Sequence, residues 1–306
     1  MHVMRPASAL APAVTKLAPS LQREFRAKRA RADRPGTQPD PSGLMKRAIL
    51  AFAIFFLVPL GTHALWWWNQ GWPDSWSAAD WSSAALLPQA EDEPDAVVHV
   101  MGARVGRWRG IFAHHSWIVL KEEGAPTYTR YDVVGWGQPV RTNVREPDGK
   151  WYGNTPVVLT TLRGEAAKAA IPKIKAAVAS YPFSGIGTYR AWPGPNSNTF
   201  VAYIVEQTPE LAPGLLPTAL GKDFREPGFF AGLAPSGAGW QISWNGIAGV
   251  TIGWVEGIEI NILGAVAGLD IRRPAIKLPG WGRIGLPPSS EEMSSSPLRN
   301  VPEAHS

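Results

Sequence analysis

The spacing of apolar and polar positions changes several times along the chain, and each change marks an element. Residues 48–68 (AILAFAIFFLVPLGTHALWWW) contain no Asp, Glu, Lys or Arg. A helix of about 20 such residues spans the hydrocarbon core of a bilayer, and Pro59 and Gly61 are tolerated in one. From residue 96 the period shortens to two. Val97, Val98 and Val100 predict a strand to about Ala103, and residues 110–120 (GIFAHHSWIVL) predict a second. Alternation puts Ile111, Ala113, His115, Trp117 and Val119 on one face of it, and Phe112, His114, Ser116, Ile118 and Leu120 on the other. Both faces are mainly apolar, as in a central strand covered on both sides. Residues 127–136 predict its hairpin partner, with the turn at Gly124-Ala125-Pro126. Residues 141–152 read as a polar turn region.

The period then lengthens. Ala167, Ala170, Ile171, Ile174 and Val178 follow the spacing of a helix over residues 164–180, which Pro172 must kink or restart. Residues 192–205 (WPGPNSNTFVAYIV) hold the local grammar around which the rest is organised. A Gly194-Pro195 turn meets a short amphipathic helix with Phe200, Val201, Ile204 and Val205 on its apolar side. Asn196 or Ser197 is the N-cap, because either side-chain oxygen can accept a free N–H of the first turn. Pro209 stops the helix. Residues 210–230 read as a Pro/Gly-rich loop, a candidate lid, carrying the charged pair Lys222-Asp223. Residues 240–271 are apolar and punctuated by glycine. A second membrane helix through Gly249, Gly253 and Gly257 is conceivable. Glu256 and Glu259, with the β-rich run Val250, Thr251, Ile252, Trp254 and Val255, favour a β-meander.

Charge gives this pattern a direction. The net charge is +5 over 306 residues, but residues 1–47 carry ten Lys or Arg against Glu24, Asp33 and Asp40. Lys46-Arg47 precede the apolar helix; Trp66, Trp67 and Trp68 form an aromatic belt beyond it. Residues 69–95 have no Lys or Arg and carry six acids. The positive-inside rule therefore expects a single-pass bacterial inner-membrane protein, N-terminus cytoplasmic and main domain periplasmic. A cleaved signal peptide is the alternative; the long basic arm and the poor cleavage site at Thr62-His63-Ala64 argue against it. The expected organisation is a basic arm (1–47), a transmembrane helix (48–68), a Trp-rich acidic linker (69–95), an exported α+β domain (96–286) and a disordered tail (287–306). The linker either lies along the membrane surface or simply connects.

With no cysteine there is no disulfide, thiolate or Cys-ligated metal. The six histidines show no zinc-like spacing, and no phosphate-binding glycine loop follows a strand. No metal, cofactor or nucleic-acid partner is expected. A helix opening at Ser197 would set a hydroxyl beside unpaired N–H groups, where a nucleophile and an oxyanion hole can share one backbone feature. Serine needs an adjacent base. His115 is the candidate, or His114 if the register is shifted. Tyr128, Tyr131 and Asp132 are candidates to orient the ring.

His115-Ser116-Trp117-Ile118 on a strand, followed by Asn196-Ser197-Asn198-Thr199-Phe200 at a helix start, resembles the circularly permuted branch of the papain-like NlpC superfamily, which includes lecithin–retinol acyltransferase-like proteins. That resemblance implies a permuted papain-like core, an antiparallel sheet packed on short helices. The nucleophile position holds Ser197 where that family has cysteine, and Thr199 where it has a second histidine. The chain also closely resembles, over residues 97–285, an uncharacterised family of bacterial membrane-anchored proteins, which implies no activity. Two functions follow as expectations. One is a non-catalytic membrane-anchored envelope module whose degenerate cleft binds peptide or lipid. The other is a serine-dependent hydrolase or acyltransferase acting on an envelope amide or lipid ester through Ser197, His115 or His114, and Asn196.

Overall fold

The structure is a computed structural model and describes residues 41–211, 214–226 and 228–286. Most of the basic arm and the whole tail expected from the sequence lie outside these residues. The chain divides into two units at Leu50 and Ala51. The described part of the first, residues 41–50, is helical, with Leu44, Met45, Ile49 and Leu50 exposed. Apart from the first turns of the apolar helix, everything below concerns the second unit.

One helix, Ser42–Gln70, is long and apolar enough to cross a membrane, its most apolar 18-residue window having a mean hydropathy of 2.1. It comprises α1 (Pro41–Phe52), a π turn (Ala53–Leu57) and α2 (Val58–Gln70). Pro59 accounts for the π turn. It has no N–H to donate, and its ring crowds the carbonyl four residues earlier, at Phe55; a widened turn relieves that crowding.

Five antiparallel strands form the first sheet, in the order β4-β3-β2-β1-β5. They are β1 (Val97–Arg104), β2 (His114–Lys121), β3 (Thr129–Val133), β4 (Val140–Thr142) and β5 (Val157–Arg163). β2 begins at His114 rather than Gly110 because residues 107–111 wind into a 3-10 turn. On one face Val98, Val100, Ile118 and Leu120 pack against α3 (Gly164–Ala179) and α4 (Ser197–Gln207). α3 is continuous through Pro172. On the other face Val97, Met101, Trp117 and Val119 join Trp151, Tyr152, Ala79 and Ala90 in a second core. The linker is thus more than a tether. Trp76 and Trp81 pack on each other and on Trp151, and the segment is part of the fold.

The glycine-rich half is a seven-stranded antiparallel meander with strand order β12-β11-β10-β9-β8-β7-β6. Its members are β6 (Phe229–Leu233), β7 (Gly239–Trp244), β8 (Ala248–Gly253), β9 (Gly257–Ile262), β10 (Ala265–Asp270), β11 (Ala275–Leu278) and β12 (Gly282–Gly285). Register makes one face a row, Leu233–Trp240–Ile252–Ile258–Leu269–Ile276–Ile284, crossing every strand. The matching row on the opposite face is Gly232–Gln241–Thr251–Glu259–Gly268–Lys277–Arg283. The polar row is the covered one: Gln241, Thr251, Glu259 and Lys277 are buried, whereas Trp240, Ile252, Leu269 and Ile276 are exposed.

The loop expected as a lid supplies the cover. Leu215, Ala219, Lys222, Asp223 and Phe224 are all buried. Lys222 Nζ binds Asp223 Oδ1 (2.9 Å) and Glu259 Oε2 (2.5 Å), and Glu259 Oε1 accepts from Lys277 (2.6 Å). Asp223 also accepts from Gln241 and Asn261, at 2.8 Å each. Charges survive burial only when paired and hydrogen-bonded, and this network meets that condition. Burial works against both charges, yet Asp223 and Glu259 raise the Lys222 pKa above the usual lysine range, and Lys222 leads in lowering that of Asp223.

Candidate functional site

The start of α4 is built as its sequence suggests. Asn196 is the N-cap and Ser197 the first helical residue. Asn196 Oδ1 accepts from the N–H groups of Asn198 (2.9 Å) and Thr199 (3.2 Å), and Thr199 Oγ1 accepts from the Asn196 N–H (3.1 Å). This reciprocal box satisfies donors that a helix start leaves free. The loop locks it further. Asn196 Nδ2 donates to the Leu220 carbonyl (2.9 Å) and Thr199 Oγ1 to the Gly221 carbonyl (2.7 Å). Gly221, at φ +90°, lies so close that a Cβ there would run into the Asn196 amide.

Both histidines lie on β2, and the strand sends them to opposite faces. His114 shares its face with Ile118 and Leu120, the side that carries α4. Its carbonyl accepts from Asn198 Nδ2 (2.8 Å), and its Nδ1 lies 2.8 Å from Thr218 Oγ1. Burial, with Arg104 and His63 nearby, pushes its pKa down to about 3, so the ring is neutral at physiological pH. His115 belongs to the other face. It stacks on Trp151 at 3.6 Å and 9° between planes. Its Nε2 is 3.8 Å from Asp132 Oδ2, an ion-pair distance beyond hydrogen-bond reach. Arg130 grips the same Asp132 oxygen through Nε (3.1 Å) and Nη2 (2.8 Å) and lies 4.1 Å over the Trp117 ring. Burial lowers the His115 pKa, with Asp132 opposing. For Asp132, burial raises the pKa, but His115 and Arg130 outweigh it and hold the carboxylate below its usual range.

The structure therefore brings together Asn196, Ser197 and His114 at one end of the α4 face, and His115 with Asp132 at the far face. The sheet separates His115 from Ser197. Ser197 is 3% exposed, and its hydroxyl makes no hydrogen bond to either ring. Asn198, one residue on, is the side chain that reaches β2. Tyr128 joins the linker-side core, with its hydroxyl buried and unpartnered. Arg130, Trp151, Thr218 and Asn198 were not singled out from the sequence. The alternation of β3, which puts Arg130 beside Asp132 on one edge of the linker-side cluster, gave the one usable hint. Among the described residues no group of three or more His, Asp or Glu is arranged to hold a metal ion.

An open groove of 660 Å³ lies elsewhere, between the linker and the segment after β4. Trp81, Glu91, Tyr128, Arg145 and Asp148 are among its walls. Arg145 stacks 3.9 Å over Trp81, and Asp148 accepts from Ser83 Oγ (2.6 Å) and the Leu86 N–H (2.6 Å). These part-buried bonds fix the wall in place.

Residues 95–224 match the model of a family described as protein of unknown function, DUF3750. The match takes in the first sheet, α3, α4 and the loop through Phe224. It stops short of β6, so the resemblance is shorter than the span to residue 285 expected from the sequence. No curated protein and no solved structure matches the chain.

Proposed function

We propose that the protein is a non-catalytic module of the bacterial cell envelope that binds a peptide or lipid. In this reading residues 48–68 anchor it in the inner membrane, with its N-terminus cytoplasmic and its folded domain periplasmic. The observation that carries it is the separation of the two halves of the expected catalytic pair. Ser197 makes no hydrogen bond to either histidine ring, and His115 is stacked on Trp151 across the sheet. A serine hydroxyl without an adjacent base is a weak nucleophile. The start of α4 is also filled rather than open, since Asn196, Ser197, Asn198 and Thr199 are all buried. The ligand site is then the groove walled by Trp81, Tyr128 and Arg145. A ring, a cation and backbone groups converge there, as small sites that orient a ligand require.

A second reading has one observation in its favour. The order of strand, helix and His114, with Asn198 tied to the His114 carbonyl, is consistent with a permuted papain-like core in which His114 rather than His115 is the base. Thr218 would orient its Nδ1. A pKa near 3 makes it a poor acceptor for a serine proton, so this reading ranks second.

Complementation separates them. In a deletion strain, Ser197→Ala should restore the phenotype fully, while Trp81→Ala with Arg145→Ala should not. Failure of Ser197→Ala with an intact fold, together with Ser197 labelling by a fluorophosphonate that His114→Ala abolishes, would replace the binding reading by the hydrolase.

A further inference from the structure

The outer face of the seven-stranded sheet inverts the usual economy of an antiparallel sheet, which buries its apolar side and wets its polar one. Trp240 is 68% exposed and Ile252 57%, and no Asp, Glu, Lys or Arg occupies the face. Seven strands about 4.8 Å apart and five residues long make a surface of roughly 500 Å², near the upper end of patches on soluble monomers. A patch of this size marks a contact surface.

The helix identifies what that surface contacts. β10 lies against Ala53–Leu57, in the middle of the apolar helix. Trp281, in the turn between β11 and β12, donates to Thr62 Oγ1 (3.0 Å) and packs on His63 and Trp66 at 5.0 and 5.5 Å between ring centres. On its other sides the helix exposes Ile54, Phe55, Leu57, Val58 and Leu65. Residues 51–70 of the helix and the sheet belong to the same compact unit, so the environment at Ala53–Leu57 is also the environment at β10. We propose that the outer face of the seven-stranded sheet is a second membrane-contact surface, its aliphatic and indole side chains in the acyl region of the bilayer that holds the helix. The proposal rests on the anchor reading above. Open backbone edges are not stable in hydrocarbon. β6, four strands from β10, is flanked by Trp240 and Trp244, ring types that favour the headgroup boundary where water can satisfy that edge.

The absence of cysteine makes the test clean. Single substitutions Ile252→Cys and Ile260→Cys report on the face, Leu57→Cys on the helix, and Val144→Cys and Ile186→Cys on exposed sites of the first-sheet half. Each full-length variant is labelled with an environment-sensitive fluorophore and reconstituted in phosphatidylethanolamine/phosphatidylglycerol vesicles. Wild-type proteolysis patterns certify the fold. Doxyl groups on the lipid chains should quench labels at 252, 260 and 57 several-fold more than those at 144 and 186, and iodide should do the reverse. Strong iodide quenching at 252 and 260 with doxyl quenching at 57 overturns the sheet proposal and leaves the anchor. Loss of doxyl quenching at 57 as well overturns both. Exclusion of both quenchers at 252 and 260, with crosslinking between copies through those positions, means that a second copy covers the face, and also overturns it.

Discussion

In the five-stranded sheet, neighbouring pairs on both faces are apolar. Val100–Ile118 faces the helices and Met101–Trp117 faces the linker, and all four are fully buried. In the seven-stranded sheet Gln241–Thr251 and Gly268–Lys277 face inward, while Trp240–Ile252 and Leu269–Ile276 face out. The first sheet is held by burial of hydrocarbon on two sides. The second is held at its core by charge pairing through Lys222 and Asp223. The contrast teaches that a strand's alternation states which residues share a face, and says nothing about which face is dry.

The comparison can be broken most severely at Lys222. Lys222→Ala leaves the buried Asp223 without its cation and Glu259 with Lys277 alone, and removal of one partner of a buried pair costs about 3–5 kcal/mol. Denaturant unfolding should show that loss. Lys168→Ala, at a pair whose partner Glu165 is exposed, should cost less than about 1 kcal/mol. A similar cost at both sites would mean that the buried network is not what holds the second sheet.

Equal truncations on the two sheets sharpen the contrast. Ile118→Ala, at 0% exposure, should lose about 2–5 kcal/mol. Ile252→Ala, at 57%, should stay within about 0.5 kcal/mol in detergent solution.

Acid separates the sheets by pH window. His99 and His114 have pKa values lowered to about 4 and about 3, mainly by burial, and β6–β12 contain no histidine. The unfolded chain binds these protons near pH 6.5 and the folded chain does not, so stability should fall as pH drops from 6.5 towards 4. His99→Gln with His114→Gln should flatten that decline. The depressed Asp223 contributes stability that is present above its unfolded pKa of about 3.9 and is lost as pH falls further through the folded value. Asp223→Asn should flatten only this lower part. Thermal melts across pH 7 to 3 read both.

The smallest effect belongs to the site itself. Asn196→Ala removes the cap of α4 and should cost about 1 kcal/mol in the same unfolding assay. A negligible cost would mean that the loop bonds alone hold the helix start.

How far the sequence could be read follows from how local each signal is. The α4 start was legible because Gly194-Pro195 and Asn196 act within one turn, whereas the part played by Thr199 in the cap was not read from the sequence. The meander was legible from β-branched residues and spaced glycines. β5 was missed, because Val157–Arg163 carries polar residues between apolar ones and lies on a sheet edge, where burial is partial. The parity of His114 and His115 was illegible for a different reason. With apolar residues on both faces of β2, nothing along the strand says which face meets α4; only the distant Asn198 and Thr218 decide it. The inverted second sheet was illegible too, since its cover, Lys222-Asp223, sits in a loop that reads as solvated.

That cover has a consequence for folding order. β6–β12 join through tight local turns, and local contacts form fast. Yet the inward row of the sheet cannot leave water until Lys222 and Asp223 arrive, and the preceding residues, Leu220 and Gly221, are bound to the cap of α4. The meander therefore cannot complete before the helix start has formed. A stretch of four residues thus ties the two sheets together, and denaturant unfolding should show one transition in place of two.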